Sequence, residues 1–472
     1  MTTVTKDIFC KEEKYFTANY SPIAAESLGS ARFKTDYALR YAYITGSMFK
    51  GISSPEMLIA LGRTGSMGYL GTGGMRYSNI EAAIHTIKSA LPQNQSYGLN
   101  LLSSAFSDPN EEEQMVDLCL RHGVRYVEAS AYMQVTLNLV RYRLKGLRHG
   151  ANGHIVTKNH ILAKISHPNV AEAFMRPAPE EMVKRLLETN QISRKQAQLS
   201  QHVPVSQDIC VEADSGGHTS QGVAYILIPS MQRLRDKIAR RYSYSTPIRI
   251  GAAGGIGTPE AAAAAFILGA DFVLTGSINQ CTTEAGTSDS VKDLLQDMGV
   301  YDTEYAPSGD MFEMGSKVQL LKKGLFFPAR ANKLYLLYRQ FDSLSAIDSK
   351  VKETIQKKYF RQSFDEVWKE TKSYYLKMKP EVVERAERIP KIKMALIFKW
   401  YFVQGNRFAI RGERSRKVDY QVHTGPALGA FNEWVKGTKM ESWRNRHVAE
   451  IAKKLMLETA NILNERLRRV AQ

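Results

Sequence analysis

The sequence predicts an α/β fold, a (β/α)8 barrel of the TIM type carrying a mainly helical inserted subdomain. Three observations lead there. From residue 41 to residue 280, short apolar runs alternate with helical patterns, one strand and one helix per unit, as in a parallel sheet. Near its end, the stretch 248–280 joins two buried β-branched runs, each followed by a glycine turn. After residue 285 the alternation stops, and Lys-, Tyr- and Met-rich helical patterns take over.

Strand one falls within Tyr41–Met48, and Ser54-Pro55-Glu56 opens its helix with a capping hydroxyl, a proline and an acid. SMGYLGTGG (66–74) is strand two, followed by a helix from Asn79 to Leu91. QSYGLNLL (95–102) is strand three and carries Asn100; a helix opening at Asp108-Pro109 ends at Gly123. VRYVEAS (124–130) is strand four, and HILAKIS (160–166) is strand five, with Lys164 near its end. A helical stretch broken by Pro-Ala-Pro at 177–179 leads to DICVEADSGGHT (208–219), strand six and its loop. YILIPSMQRLRDKIARRY supplies the next helix, PIRIGAAGGIG strand seven and FVLTGSINQ strand eight. Eight units favour a closed barrel over an open sheet. A Rossmann fold is disfavoured, because no GxGxxG follows the first strand.

The turns at Gly254-Gly255-Ile256-Gly257 and Gly276-Ser277 therefore follow strands seven and eight, where barrels usually hold phosphate. Backbone N–H groups at such turns can bind a dianion without a lysine. Tight connection alone would also use glycine, but two such turns one unit apart favour the phosphate reading. The chain divides into a lead-in segment (1–40) expected to pack outside the core, the barrel (41–285), a helical subdomain (286–400), and a segment packing back on the barrel (401–472). One barrel of about 250 residues plus additional matter suits 472 residues.

Composition excludes several classes. No apolar run reaches the roughly 18 residues of a membrane helix, and the N-terminus carries charges where a signal peptide needs its apolar region. Cys10, Cys119, Cys210 and Cys281 lie far apart without a CxxC pair, so no metal or disulfide frame is expected and a cytoplasmic location fits. The net charge of +17 is concentrated toward the C-terminal part, without any nucleic-acid-binding signature. A solvated surface or an acidic protein partner is the expectation, and neither nucleic acid nor membrane.

EADSGGHT, GAAGGIGTPEAAAAAFILGADFVLTGSINQ, APSGDMFEMGSKVQLLKKGLFFPARANKLY and DYQVHTGPALGAFNEWVKG resemble the PfaD-type trans-acting enoyl reductases. These serve trans-acyltransferase polyketide synthases and polyunsaturated fatty-acid synthases, within the wider nitronate monooxygenase-like group of FMN barrels. The resemblance runs from about Tyr41 to the end. It implies an enzyme with bound FMN, NADPH as hydride donor, and an enoyl thioester on an acyl carrier protein of a polyketide synthase complex as substrate; a homodimer is compatible with it. It places the flavin phosphate on Gly254, Gly255, Gly276 and Ser277. Gly46, Ser47, Met48, Thr72, Asn100 and Lys164 would lie near the ring and ribityl chain, with Ser215, Gly216 and Gly217 approaching from strand six. Lys164 is the candidate to stabilise reduced-flavin charge, and His218 the candidate proton donor or electrophile.

The nitronate-oxidising relatives usually read EAGGH where this chain reads Glu212-Ala-Asp-Ser-Gly-Gly-His218, which puts His218 in a different relation to the flavin. Glu212 and Asp214 read as loop anchors, Cys281 as a packed thiol, and His423 as part of a segment closing the cleft. An FMN oxidase of the nitronate type is the alternative enzyme, and a flavin-free scaffold protein the alternative non-enzyme.

Overall fold

A computed structural model describes residues 21–92, 95–103, 109–151 and 153–471. The N-terminal segment before residue 21, with Cys10, and the helix start at Asp108 lie outside the described residues. The barrel strands are β1 (Tyr43–Thr45), β2 (Met67–Leu70), β3 (Gly98–Leu102), β4 (Tyr126–Ser130), β5 (His160–Ile165), β6 (Asp208–Glu212), β7 (Arg249–Ala253) and β8 (Phe272–Thr275). All eight expected strands are present, and each pairs in parallel with its sequence neighbours. Closure comes from β1 against β8, with Tyr43 opposite Val273 and Thr45 opposite Thr275. Strand residues are buried almost throughout, because the barrel interior fills one face and the helices cover the other.

Local chemistry sets the helices. Ser54 caps helix Pro55–Gly62, accepting from the Met57 N–H. Thr258 does the same for helix Pro259–Ile267 through the Ala261 N–H. Each has proline in its first turn, where the missing N–H costs nothing. The Pro-Ala-Pro stretch separates helix Pro168–Met175 from helix Glu180–Glu188.

Two regions depart from expectation. Residues 31–37 pack beneath the barrel rather than outside the core. Helix Ala31–Asp36 places Phe33 in parallel stacking on Phe272, centroids 4.1 Å apart, and Phe33 and Tyr37 are fully buried. Their poor periodicity hid this, since a six-residue plug needs only two inward side chains. Beyond the barrel, the region is mainly helical as expected, but it also contains β9 (Thr303–Pro307) and β10 (Lys317–Leu321), an antiparallel pair. A third strand joins them: Gly217–His218, from the loop after β6, pairs with Gln319 and Val318.

A second apolar core lies beyond this sheet. Phe312 and Phe327 pack on Phe402 and Tyr401 of helix Pro390–Arg411. Buried Asp419 accepts from Tyr401 Oη at 2.7 Å and pairs with Arg330 and Arg416. The chain then returns across the barrel mouth through 419–426, where His423 bridges Leu320. Helix Val448–Ala471 packs outside the barrel against helix Pro259–Ile267, with Thr459 Oγ1 donating to Pro259 O.

Candidate active site

The C-terminal ends of six strands are tied together by one hydrogen-bonded chain of side chains. Thr72, after β2, donates to the Asn100 carbonyl at 2.8 Å. Asn100 on β3 donates through Nδ2 to Ser130 Oγ at 3.0 Å and to Glu128 O at 3.2 Å. Ser130 Oγ donates to Glu128 Oε1 at 3.0 Å. Glu128 is fully buried and also accepts from the Ser47 N–H at 2.9 Å and Ser47 Oγ at 3.0 Å. Lys164 Nζ lies 3.2 Å from Glu128 and 3.5 Å from Glu212 on β6. Ser215 Oγ closes the chain, donating to Glu212 at 3.1 Å.

A carboxylate inside a barrel is tolerated only when its oxygens are saturated, and three donors with an ammonium do that for Glu128. Burial alone would depress the Lys164 amine. Glu212 and Glu128 outweigh burial and hold it above its ordinary range, so Lys164 stays charged at any working pH. Ser47, Thr72, Asn100, Lys164 and Ser215 are thus brought together by two carboxylates, of which Glu128 had no expected role. Its signal was present: VRYVEAS carries a single acid, set between Val127 and Ala129 in the middle of a barrel strand.

The glycine turns occupy the neighbouring sector. Gly254 and Gly255 both have left-handed backbone, φ 84° and 74°, and their N–H groups donate to no described residue. A Cβ on Gly254 would stand 2.6 Å from the Ala213 carbonyl, whereas Cβ atoms on Gly255 or Gly276 would meet nothing within 4 Å. Gly254 is therefore required by packing, while Gly255 and Gly276 border open space. Ser277 Oγ accepts from the Gly425 N–H at 3.1 Å, joining the second turn to the returning segment. Gly216 lies against the same segment, where a Cβ would stand 2.6 Å from Thr424 C. Gly46 continues β1 and donates to Thr275 O at 2.9 Å, and the Met48 N–H donates to Ser53 Oγ at 2.8 Å.

His218 sits at the rim, its side chain 47% exposed. Nε2 lies 2.8 Å from Ser308 Oγ and 3.0 Å from Asp310 Oδ1. Partial desolvation of the ring opposes its charge, yet the Asp310 hydrogen bond and carboxylate, helped by Glu212, raise it above its ordinary value. His423 lies nearby, edge-on to Phe49 with centroids 4.9 Å apart. Burial, with repulsion from His218 and Lys50, pushes it down to about 3. One imidazole is thus biased toward charge and the other toward neutrality. Ser308 and Asp310 stand in the APSGDMFEMG stretch that carries the resemblance, but no role attaches to them there, since sheet pairing alone brings them to a histidine some 90 residues earlier.

Other expected anchors follow their structural readings. Asp214 accepts from Thr219 Oγ1 at 2.7 Å and from Tyr305 Oη. Cys281 is buried against Arg446 Nη1 at 3.3 Å; burial pushes its thiol up to about 11. No helix among the described residues is long and apolar enough to cross a membrane.

A closed parallel barrel carries two glycine turns beside a buried Lys–carboxylate cluster, and the sequence match places it in a class, the nitronate monooxygenase-like oxidoreductase barrels. The nitronate monooxygenase family model matches residues 32–309, and a model of the inserted helical domain of acyl-carrier-protein S-malonyltransferase matches residues 341–420. The chain is 56% identical over 451 residues to polyketide biosynthesis protein PksE of Bacillus subtilis, covering 95% of this chain and 58% of that protein. It is 43% identical over 424 residues to one of the polyunsaturated fatty acid synthase proteins of Thraustochytrium, covering 89% of this chain and 28% of that protein. The crystal structure of the enoyl reductase domain of MlnA, from the macrolactin biosynthesis cluster of Bacillus amyloliquefaciens, superposes with a TM-score of 0.90. Its identity is 46%, covering 94% of this chain and 99% of that one. The chain belongs to the nitronate monooxygenase-like family and, within it, groups with these polyketide and polyunsaturated fatty-acid synthase proteins and with the MlnA enoyl reductase domain. It spans little more than half of PksE and about a quarter of the Thraustochytrium synthase protein.

Proposed function

We propose that this chain is an FMN-dependent enoyl reductase that uses NAD(P)H to saturate the α,β-double bond of an enoyl thioester carried on an acyl carrier protein. The observation that carries the reading is the mouth itself, with free N–H groups and open space at the glycine turns beside the Glu128–Lys164–Glu212 cluster. The residues fit a phosphorylated cofactor. Gly255 and Gly276 leave room that a Cβ would fill, and the buried Gln319 Oε1, beside Gly425, has no partner among the described residues. Gly254, Gly255, Gly276 and Ser277 would hold the phosphate, with Ser47, Met48, Thr72, Asn100 and Lys164 along the ribityl chain and ring. When bound, FMN supplies the hydride that adds to the substrate's β-carbon.

The protein's own share is position, charge and a proton. Lys164, kept cationic, favours negative charge on the cofactor ring. His218, biased toward its protonated form, delivers a proton to the substrate α-carbon or steadies the thioester oxygen as charge develops there. The segment 419–426 borders the mouth, where the Gly425 N–H donates to Ser277 Oγ.

The helical region supports a carrier-protein partner. Residues 341–420 contain 19 Lys and Arg against 11 Asp and Glu, a net charge of +8. A positive rim speeds docking of an acidic partner in a salt-dependent way.

The deciding experiment is anaerobic. NADPH should bleach the flavin of the reconstituted protein, and a crotonyl carrier-protein thioester should restore its colour. Reoxidation by oxygen but not by the enoyl thioester would assign an oxidase instead, and a protein that cannot be loaded with FMN would sink the reading.

A further inference from the structure

His218 is carried by the barrel but held from outside it. Its two-residue strand, Gly217–His218, pairs with β10, which pairs with β9, and just beyond β9 come Ser308 and Asp310. The three-stranded sheet thus fixes the histidine's backbone and its ring partners through the same pairings. All the ring's hydrogen bonds fall on one nitrogen: Nε2 meets Ser308 Oγ and Asp310 Oδ1, while Nδ1 meets no described residue. Ser308 is buried and itself donates to Asp310 Oδ1. That oxygen also accepts from the Met311 N–H at 3.1 Å, so the carboxylate is held in place before it meets the ring.

We propose that Asp310 and Ser308 are positioning residues that anchor His218 through Nε2 and leave Nδ1 as the nitrogen that delivers the proton to the reacting substrate. The assignment rests on the enoyl-reductase reading for its substrate, but not for the state of the ring. A neutral imidazole has one N–H and one bare nitrogen, and the group bonded to the first fixes which is which. With a carboxylate on Nε2, that nitrogen keeps its proton in both charge states. The proton that comes and goes is then the one on Nδ1. In the step itself the imidazolium gives the Nδ1 proton to the α-carbon while a hydride, drawn ultimately from NAD(P)H, adds to the β-carbon. The C=C π bond is lost, two C–H bonds form, and a neutral Nε2–H imidazole remains.

The charged groups around the ring agree on the sign. Asp310 and Glu212 favour the imidazolium; Lys164 opposes it; His423, itself held neutral, adds little charge of its own. Removing the Asp310 charge leaves Lys164 less opposed, so the histidine should titrate lower.

Two measurements on the FMN-loaded protein test this. In the first, ring-nitrogen NMR with 15N-histidine, assigned by His218→Gln, follows the ring through its titration. The Nε2–H tautomer is expected at high pH. Asp310→Asn should lower the titration midpoint by about one unit, and Asp310→Glu should return it most of the way. An Nδ1–H tautomer, or an unchanged midpoint in Asp310→Asn, overturns the proposal whatever the enzyme's substrate. In the second, anaerobic stopped flow separates the half-reactions. Asp310→Asn should slow reoxidation by the enoyl thioester about tenfold at pH 8, with its alkaline fall-off moved to lower pH and reduction by NADPH unaffected. Superimposable pH profiles for wild type and Asp310→Asn would also overturn it. If the wild type shows no reoxidation by enoyl thioester, the substrate reading fails, and the NMR result still decides the anchoring.

Discussion

The two ends of the barrel use the same chemistry for opposite purposes. At the N-terminal end Arg249, only 1% exposed, forks onto Asp208 at 2.6 and 2.9 Å and reaches Asp36 at 2.7 Å. Tyr37 Oη donates to the same Asp208 at 2.9 Å, and the Phe33 ring lies under the guanidinium, 5.3 Å away. Every strong partner there is protein, and the plug helix closes the end. At the C-terminal end Glu128, Lys164 and Glu212 form a second ionic cluster, with Glu128 as deeply buried as Asp208. Beside it, however, two glycines border open space and two N–H groups find no acceptor among the described residues. A closed network signals stability; a network with spare donors and empty volume beside it signals a ligand. The difference lies in the backbone N–H groups and open space at the glycine turns, since both ends bury charge and the N-terminal network also leaves the buried Tyr69 Oη and His160 Nδ1 without partners among the described residues.

Substitutions can break or sharpen this contrast. Arg249→Met should have the largest effect, because it strands Asp208 in a dry interior; a loss of about 3–5 kcal/mol is expected, measured by urea unfolding of the FMN-loaded protein. A loss under about 1 kcal/mol would remove the distinction between the ends. Lys164→Gln should cost less, about 1–3 kcal/mol, since three donors still hold Glu128. Its mark should be functional, with flavin reduction slowed at least tenfold in stopped flow; a purely structural lysine would leave that rate alone.

His423 gives a pH test. Its folded pKa, about 3, lies below the unfolded value of about 6.5. Between those values the unfolded chain binds the proton that the native one refuses, so this group's contribution to stability falls as pH drops from about 6.5 toward 3. His423→Gln removes that term. Relative to wild type, it should gain about 1–2 kcal/mol at pH 5 over its difference at pH 7.5; equal differences at both pH values would mean that the histidine is not held neutral. The smallest effect on folding belongs to Gly276→Ala. With φ −123° and no atom within 4 Å of the new methyl group, stability should stay within about 0.5 kcal/mol. FMN affinity, read by fluorescence on titration, should nevertheless weaken at least tenfold. Unchanged affinity would put the phosphate elsewhere.

Much of this architecture was legible in the chain. The strands declared themselves through β-branched runs between glycines, and Ser54-Pro55 and Thr258-Pro259 marked helix starts that the capping hydrogen bonds reproduce. Lys164 and the glycine turns could be placed because position along a barrel strand predicts which end a residue faces. What escaped depends on contacts distant in sequence. Phe33 and Tyr37 plug the barrel from a segment too short to show periodicity. β9 and β10 look like interruptions in a helical region until the loop strand at His218 gives them a partner. Asp310, one acid among 47 Asp and Glu, gains meaning only from that pairing. Glu128 is intermediate: its residue type was conspicuous, but its partners come from other strands.

The helix at Val448–Ala471 has a consequence in time. The eight strands have all been synthesised by residue 275, yet the helix that follows the first glycine turn waits for residues 448–471 to cover its outer face. At ribosomal speeds of 5–20 residues per second, the interval between residues 267 and 471 is roughly 10–40 s. During that interval a nascent barrel displays the alanine-rich flank of Pro259–Ile267 to water or to a chaperone. The turn that reads as the cofactor's phosphate seat therefore opens into a helix whose outer cover, residues 448–471, is made long after the strands that frame it.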